Sequence, residues 1–269
     1  MKKLTIITGA GSGLGAEFAR QLFYKYERDN LKNIEFEREI WIIARSTDNL
    51  KKVSDELKGK TKIQYFSINL AGISGAEKFK ELLDKQESEE FFLIETLINN
   101  AGFGTYGPFE ETEPEKEMEM IDLNCTALTG ICGYSLKYMK KDSKIINVSS
   151  LAAFMPLGNF AVYAATKSYV LSFSIALAAE LKDKGISVSA LCPGSVSTNF
   201  ANVASNGKRK KVLHGKDPIK VVKHCLRKAE KKEIIVQTFF KWKVTAFLSR
   251  FVGRYLVARY TYKYAKRPH

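Results

Sequence analysis

The chain has 269 residues and a formal net charge of +14 at pH 7, with 43 lysines and arginines against 29 acidic residues. This length suits one large α/β domain, and a hydrophobic content of 45% is ordinary for a globular protein. The basic excess is compatible with anionic lipid or acidic small molecules. It does not indicate nucleic acid, because the aromatic residues do not alternate with the basic ones as stacking platforms do.

Cysteine and histidine usage predicts neither a metal site nor a disulfide framework. The four cysteines form no C-x-x-C pair and the three histidines are scattered late in the chain. Met1 is followed almost at once by an apolar strand, and no apolar run approaches the roughly 18 residues of a membrane span. We therefore expect a cytoplasmic protein with free thiols.

The first predicted elements are a buried strand, a glycine-rich turn and a helix. The strand covers residues 4–7, and apolar residues at helical spacing (Phe18, Ala19, Leu22) follow the turn. Glycines in such a turn allow backbone amides to approach a pyrophosphate at the helix N-terminus. The sequence therefore predicts a dinucleotide site that includes Thr8, Gly9, Gly11, Ser12, Gly13, Leu14 and Gly15.

The second predicted strand, residues 39–44, ends at Arg45. We expect residues 25–29 to extend the first helix and residues 30–38 to form a surface loop before this strand. An acidic residue at the strand end is typical of NAD sites, whereas an arginine suits the 2′-phosphate of NADP. No Asp or Glu lies between Ile40 and Thr47. This favours NADP(H) over NAD(H), although Arg45 would also fit a solvent-facing charge at a strand end.

A tyrosine and a lysine, Tyr163 and Lys167, stand four residues apart in a predicted helix. Side chains at this spacing share one helix face. A nearby ammonium stabilises a phenolate and lowers the pKa of a tyrosine. Such a tyrosine can exchange a proton with an alcohol or carbonyl oxygen.

Taken in chain order, these motifs resemble the classical short-chain dehydrogenase/reductase family over about residues 3 to 200. The resemblance implies a single doubly wound, Rossmann-type α/β domain with a central parallel sheet flanked by helices. Within the family, the chain is loosely similar to the hydroxysteroid and long-chain ketone reductase members. We expect a homodimer or homotetramer. The matching positions are Thr8-Gly9-x-x-x-Gly13-x-Gly15, Asn99-Asn100-Ala101-Gly102, Asn124, Ile146-Asn147-Val148-Ser149-Ser150, Tyr163-x-x-x-Lys167, Pro193-Gly194 and Thr198.

The resemblance also implies catalytic roles. Tyr163 is the expected general acid or base, Lys167 the ligand of the nicotinamide ribose, and Ser150 the residue that holds the substrate oxygen. Ser150 is favoured over Ser149 by the family spacing to the tyrosine. Asn124 is expected to support a water that relays protons to Lys167.

Further cofactor contacts follow from the same resemblance. Asn69 stands where the family commonly has an acidic residue beside the adenine, so adenine binding is expected to differ in strength. The other expected contacts are Leu70, Asn100, Ala101, Gly102, Pro193, Gly194, Val196 and Thr198. The expected function is NADP(H)-dependent interconversion of a hydrophobic secondary alcohol and its ketone. The alternative is a non-catalytic dinucleotide-binding regulatory or scaffold protein.

The substrate side is predicted from bulky apolar residues. They are Phe103, Tyr106, residues 152–157 and Phe160, which favour a hydrophobic substrate. Residues 199–217 are rich in polar and small residues and are interpreted as a substrate lid. The basic run Lys208–Lys211 within them either attracts an anionic substrate or forms a solvated hinge.

Residues 218–269 form a basic C-terminal extension. A helix is predicted over 218–230, a strand over 233–236, and a long amphipathic helix over 242–262 whose apolar face is flanked by basic residues. This last helix is expected to cover the substrate pocket, to pack against another subunit, or to contact an anionic membrane surface.

Overall fold

The computed structural model describes residues 2–31, 37–210, 212, 214–266 and 268–269. Its centre is a seven-stranded, fully parallel sheet with the order β3-β2-β1-β4-β5-β6-β7. This topology confirms the doubly wound fold expected from the sequence. The strands are β1 Lys2–Thr8, β2 Arg38–Ala44, β3 Lys62–Ser67, β4 Phe92–Asn99, β5 Lys144–Val148, β6 Ser187–Leu191 and β7 Ile235–Val236.

The central strands are continuous apolar runs because helices cover both faces of the sheet. In β2, Ile40, Trp41, Ile42 and Ile43 are all buried, so neighbouring side chains on opposite faces both meet packed helices. The helices are α1 Gly13–Asn30, α2 Thr47–Glu56, α3 Gly72–Glu89, α4 Pro114–Ile121, α5 Leu128–Leu136, α6 Ala161–Glu180, α7 Phe200–Ala204, α8 Pro218–Glu230, α9 Phe240–Leu248 and α10 Arg254–Tyr264.

Two apolar clusters hold these layers together. Phe18 of α1 and Val222 of α8 belong to the cluster on one face of the sheet. Phe79 of α3, Ile131 of α5 and Val170 of α6 belong to the cluster on the other face. By length and composition α6 is the one described helix that could cross a membrane, but it packs into this second cluster as a core helix.

All four cysteines are buried and free. Burial raises the pKa of Cys125 to about 11 and that of Cys132 and Cys192 to about 12. Burial also raises the pKa of Cys225, which lies in α8 against the sheet. The thiols are therefore protonated near neutral pH.

Helix α1 runs to Asn30, so the expected extension of this helix is present. The expected loop at 30–38 is shorter in the structure, because Asn30 ends the helix and Arg38 already belongs to β2. Residues 32–36 of that loop lie outside the described residues. The strand predicted over 233–236 is confined to its last two residues.

The prediction of one long helix over 242–262 is wrong. The structure has two helices, α9 and α10, which are separated by residues 249–253. Arg250 and Phe251 donate their N–H groups to the carbonyls three residues back and so close α9 with a tighter turn. Gly253, a poor helix former, then takes an extended conformation and starts α10. The apolar pattern continues through this break, which is why periodicity alone suggested a single helix.

Candidate active site

The candidate site lies where the strand order reverses, at the carboxyl ends of β1 and β4. Here the Thr8 hydroxyl oxygen accepts hydrogen bonds from the backbone N–H groups of Asn100 and Ala101, each at 3.0 Å. The Asn100 amide nitrogen donates to the carbonyl oxygens of Thr8 and Gly9 at 3.1 and 3.0 Å. The turn after β1 is therefore tied to the turn after β4, and a cleft opens between them, as expected at such a switch point.

The glycine-rich turn is held by steric requirements. Gly9 and Gly13 have φ values of +64° and +57°, which disfavour residues with a side chain. A Cβ on Gly15 would lie 2.2 Å from the carbonyl oxygen of Gly9, so the first turn of α1 can approach β1 only without one. Ser12 precedes α1 without a side-chain capping bond, and no acidic residue occupies the first helical turn. The N–H groups there thus suit the pyrophosphate of a dinucleotide.

The end of the cleft where the adenosine is expected is bordered by Arg45 and Leu70. Arg45 is 62% exposed and forms an ion pair with Glu119 of α4, with Nη1 3.2 Å from Oε1. Asn69 does not line the cleft among the described residues, because its side-chain oxygen accepts a hydrogen bond from the Ala71 N–H at 3.2 Å. Asn69 thus holds the turn that leads into α3.

Tyr163 and Lys167 lie one turn apart near the start of α6, and both side chains are buried. The Lys167 ammonium is 5.7 Å from the centre of the Tyr163 ring and donates to the Val148 carbonyl oxygen at 2.9 Å. The Tyr163 ring stacks on the Phe160 ring, with ring centres 4.2 Å apart. It also contacts the Phe200 ring, with ring centres 5.3 Å apart. The two residues therefore occupy fixed positions at the wall of the cleft.

Burial lowers the pKa of Lys167 from its ordinary value to about 8. The buried Cys125 and Cys192 thiols nearby act in the opposite direction but do not offset the loss of solvation. A lysine with a pKa near the working pH can gain and lose a proton during turnover.

The two serines after β5 differ in their surroundings. Ser149 is almost fully buried, and its hydroxyl donates to the Lys167 carbonyl oxygen at 2.8 Å, which fixes α6 against the strand end. Both serines line the cleft, but Ser150 is less buried, and its oxygen accepts from the Ala152 N–H at 3.1 Å. Its contact with the Pro193 carbonyl oxygen, at 3.4 Å, is long enough to be exchanged for a ligand.

Asn124 lies in a π-helical segment, Asp122–Ala127, between α4 and α5. Its amide nitrogen donates to the Phe103 carbonyl and the Thr166 hydroxyl, both at 3.0 Å, and its oxygen accepts from the Phe103 N–H at 3.2 Å. A Cβ on Gly102 would lie 2.6 Å from this oxygen and 3.4 Å from the Lys167 nitrogen, so Gly102 keeps the space between them open. π-helical turns are frequent at functional sites, and no sequence signal indicated this one.

The cleft has a volume of about 640 Å³ and collects most of the predicted site residues. Thr8, Gly15, Asn69 and Asn124 are the exceptions; they support the wall from behind or beside it. The predicted residues that line it are Gly9, Gly11, Ser12, Gly13, Leu14, Arg45, Leu70, Asn100, Ala101, Gly102, Ser150, Tyr163, Lys167, Pro193, Gly194, Val196 and Thr198.

The substrate side of the cleft is apolar. The predicted residues Phe103, Tyr106, Ala152, Met155, Leu157 and Phe160 line it. Phe154, in contrast, packs against a separate cluster with Leu171 and Cys192. Phe200, Ala201, Val203 and Val212 also line it and lie within the predicted lid segment 199–217, whereas sequence reasoning missed Leu123 and Thr245.

Described residues of the segment 199–217 form part of the wall on this apolar side. Helix α7 lies within them, and the carbonyl oxygen of Ala204 accepts a 2.7 Å hydrogen bond from the Tyr106 N–H. The segment returns to the body where Val196 and Lys216 form an isolated parallel bridge. Arg209 of the basic run lines the cleft, whereas Lys208 and Lys210 are exposed.

Comparison with known families identifies the class of protein. Residues 3–209 match the family described as short chain dehydrogenase. The chain therefore belongs to the short-chain dehydrogenase/reductase family, as its motifs indicated.

Individual relatives are distant. The chain is 29% identical over 211 residues to 17-beta-hydroxysteroid dehydrogenase type 3 of Mus musculus, a match that covers 77% of this chain and 64% of the relative. The first curated relatives that it matches are much longer, and the match spans 32% of their length.

Solved structures confirm the fold. A short-chain dehydrogenase from Sphingobium yanoikuyae in complex with NADPH has a TM-score of 0.75 at 22% identity, with 93% of this chain and 94% of the other covered. A short-chain dehydrogenase/reductase from Burkholderia phymatum in complex with NAD has a TM-score of 0.78 at 18% identity, with coverage of 100% and 96%.

Proposed function

We propose that this protein is an NADP(H)-dependent oxidoreductase that interconverts a hydrophobic secondary alcohol and its ketone, and that it acts as a carbonyl reductase. The observation that carries the proposal is the position of Tyr163 and Lys167. Both are buried where the glycine-rich end of the cleft meets its apolar side. We call this apolar side the apolar chamber. This position supports the proposal, because a proton donor here would lie beside both the expected cofactor and the expected substrate.

The residues of the cleft have different roles in the proposed reaction. A bound nicotinamide dinucleotide supplies or accepts the hydride. The Ser150 hydroxyl is expected to donate to the substrate oxygen, and Tyr163 to give that oxygen its proton during reduction. The Lys167 ammonium binds the ribose and favours the tyrosinate left behind. Asn124 is expected to hold a water that returns a proton through Lys167.

The preference for NADP(H) rests on Arg45 at the end of β2. Its guanidinium is exposed at the cleft and shares an ion pair with Glu119, which a more highly charged phosphate can displace because such exposed pairs are weak. We expect Arg45→Ala to raise KM for NADPH about tenfold or more and to change KM for NADH little. Glu119→Gln is the matched control, since it removes the partner and keeps the arginine. Equal effects of Arg45→Ala on both cofactors would reject the NADP preference.

The remaining parts of the proposal concern substrate, assembly and location. The apolar lining of the chamber supports a steroid-like, long-chain or aromatic carbonyl compound, and residues 199–217 act as the lid that shields it from water. A homodimer or homotetramer and a cytoplasmic location are proposed with it.

The decisive experiment measures oxidation of NADPH and of NADH with steroid ketones, medium-chain ketones, acyl thioesters and aromatic aldehydes. Tyr163→Phe should abolish turnover of the best substrate and keep NADPH binding. Tyr169→Phe is the matched control, because this exposed tyrosine of the same helix contacts only the Thr129 hydroxyl, at 2.7 Å, among its described hydrogen bonds. Turnover that survives Tyr163→Phe would reject the mechanism. Tight dinucleotide binding without any turnover would favour a non-catalytic role.

A further inference from the structure

The C-terminal helices leave an unusual number of large apolar side chains in solvent. Ten of the 23 exposed large hydrophobic residues in the described part of the chain lie between 240 and 264. Phe251 and Tyr255 are 73% and 77% exposed, and the Phe247 and Phe251 rings contact each other with centres 5.3 Å apart. Such a concentrated patch marks an interaction site, because single exposed apolar residues are usually scattered.

Both helices contact the body of the protein. Trp242 and Ala246 of α9 are buried, and the Ser249 hydroxyl donates to the Phe154 carbonyl oxygen at 3.3 Å. In α10, the Thr261 hydroxyl oxygen accepts from the Gly158 N–H at 2.9 Å. Helix α9 thus has a buried inner face, whereas α10 has no buried residue and is held to the body by hydrogen bonds.

The charge on the same segment has one sign. From Ile234 to His269 the sequence contains eight lysines and arginines and no aspartate or glutamate. The basic side chains Lys243, Arg250, Arg254 and Arg259 are exposed among the apolar ones. We call the exposed side chains of residues 240–264 the aromatic-basic surface.

Exposed apolar side chains together with positive charge favour one kind of binding partner. A second copy of the chain would bring the same positive charges face to face, which costs free energy. An anionic bilayer offers both complements at once, because its headgroups attract lysine and arginine while the interface accommodates tyrosine, phenylalanine and leucine. We propose that the aromatic-basic surface docks the protein on the surface of an anionic lipid bilayer.

The proposed docking would orient the cleft. Thr245 of α9 lines the cleft, and α10 holds Gly158, next to the lining residue Leu157. The apolar chamber therefore opens beside the aromatic-basic surface. A docked protein would present this chamber to the bilayer, although docking itself does not depend on the proposed reaction.

The test is sedimentation of the full chain with vesicles at low salt. One set is phosphatidylcholine alone and the other is an equimolar mixture with phosphatidylserine. We expect pelleting with the mixed vesicles only, and release as the salt concentration rises and screens the charges. Absence of pelleting with mixed vesicles at low salt would overturn the proposal.

Two double variants locate the contact. Arg250→Glu with Arg254→Glu should weaken vesicle binding roughly tenfold or more, since each basic side chain near an anionic surface contributes a factor of about five. Lys51→Glu with Lys52→Glu on α2 is the control, because these lysines are exposed and the pair lowers the net charge of +14 by the same four units. Thermal unfolding of each variant establishes that it is folded. Equal losses in both variants would overturn the proposal in favour of diffuse attraction.

A third variant separates lipid from self-association. Phe251→Ser with Tyr255→Ser should weaken vesicle binding and leave the mass measured by light scattering unchanged. If this variant instead gives a smaller species while vesicle binding stays the same, the surface joins two copies of the chain and the lipid proposal fails.

Discussion

The two ends of the cleft differ in whether main chain or side chains form their walls. The glycine-turn end is made largely of main chain, where even one added carbon would collide, as at Gly15 beside the Gly9 carbonyl. The apolar end is made of side chains such as Phe160 and Phe200, which reach it from separate elements. The first end therefore tolerates almost no change, whereas the second can change shape without disturbing the first. A family built this way can keep one cofactor while its substrates diverge.

The largest expected effect breaks the main-chain end. Gly15→Ala would put a Cβ 2.2 Å from the Gly9 carbonyl oxygen, so α1 must move away from β1. We expect loss of measurable NADPH binding by calorimetry and a destabilisation at or above the about 1–3 kcal/mol of an overpacked core. The control is Gly133→Ala in α5, where no atom of the described residues lies within 4 Å of the added carbon. That change should stabilise the helix by about 0.5–1 kcal/mol. Normal NADPH binding by Gly15→Ala would show that the main-chain end is less rigid than described.

The second prediction concerns the buried ammonium between the two ends. Lys167→Met removes a charge whose burial lowers its pKa from 10.5 to about 8. Below pH 8 the lysine is charged in both the folded and unfolded states, and the full cost of burying the charge is present. As pH rises from about 8 to 10.5 the folded state releases the proton first, so the free energy of unfolding of the native protein increases.

Lys167→Met should therefore be more stable than the native protein by up to about 3 kcal/mol below pH 8, and this advantage should vanish above about pH 10.5. The unpaired Val148 carbonyl will reduce the gain. Unfolding curves measured across this pH range test the prediction, with the exposed Lys58→Met as control. An advantage that does not depend on pH would mean that improved packing, and not the removed charge, is its cause.

The third prediction addresses the side-chain end. Phe200→Ala removes a ring that contacts Tyr163 at 5.3 Å and lines the apolar chamber. Loss of part of this apolar contact should raise KM for the best ketone about tenfold. The dissociation constant for NADPH should stay within about twofold, because the two ends are built independently. Phe91→Ala, a change at a ring 61% exposed, is the control for removing a phenylalanine. A parallel loss of NADPH affinity would show that the two ends are coupled.

The smallest expected effect concerns the C-terminal helices, which border the apolar end. Thr261→Val keeps the shape of the side chain but removes the acceptor of the Gly158 N–H. We expect a loss of about 1 kcal/mol in the free energy of unfolding. Thr245→Val is the matched control, because the Thr245 hydroxyl donates only to the Lys241 carbonyl within its own helix among its described hydrogen bonds. Chemical denaturation measures both changes, and equal losses would show that the contact from Gly158 to α10 contributes nothing specific.

Predictability from sequence follows the same division. The glycine-rich turn was predicted because its glycines follow a buried strand and precede a helix, and the Asn100 turn was expected from the family resemblance. The central parallel sheet was expected from the family resemblance, supported by the continuous apolar run of the first strand. The glycine-rich turn itself depends on residues that are near one another in sequence.

The rest depended on contacts between distant segments. Nothing local shows that Thr245 would reach the cleft or that Phe154 would turn away from it. The break at Gly253 was missed because the apolar spacing continues across it. The π-helical turn around Asn124 was missed because its sequence resembles an ordinary helix.

The rates at which the buried thiols are alkylated can report how often the native structure opens. Cys125 and Cys192 lie near Lys167, whereas Cys132 belongs to α5 and Cys225 to α8, so the four thiols lie in different layers of the fold. A protonated, buried thiol reacts slowly with alkylating reagents. Each modified cysteine therefore reports a local opening of the layer in which that cysteine lies. Mass spectrometry of partly labelled protein would therefore rank the layers by how often each one opens, without any introduced probe.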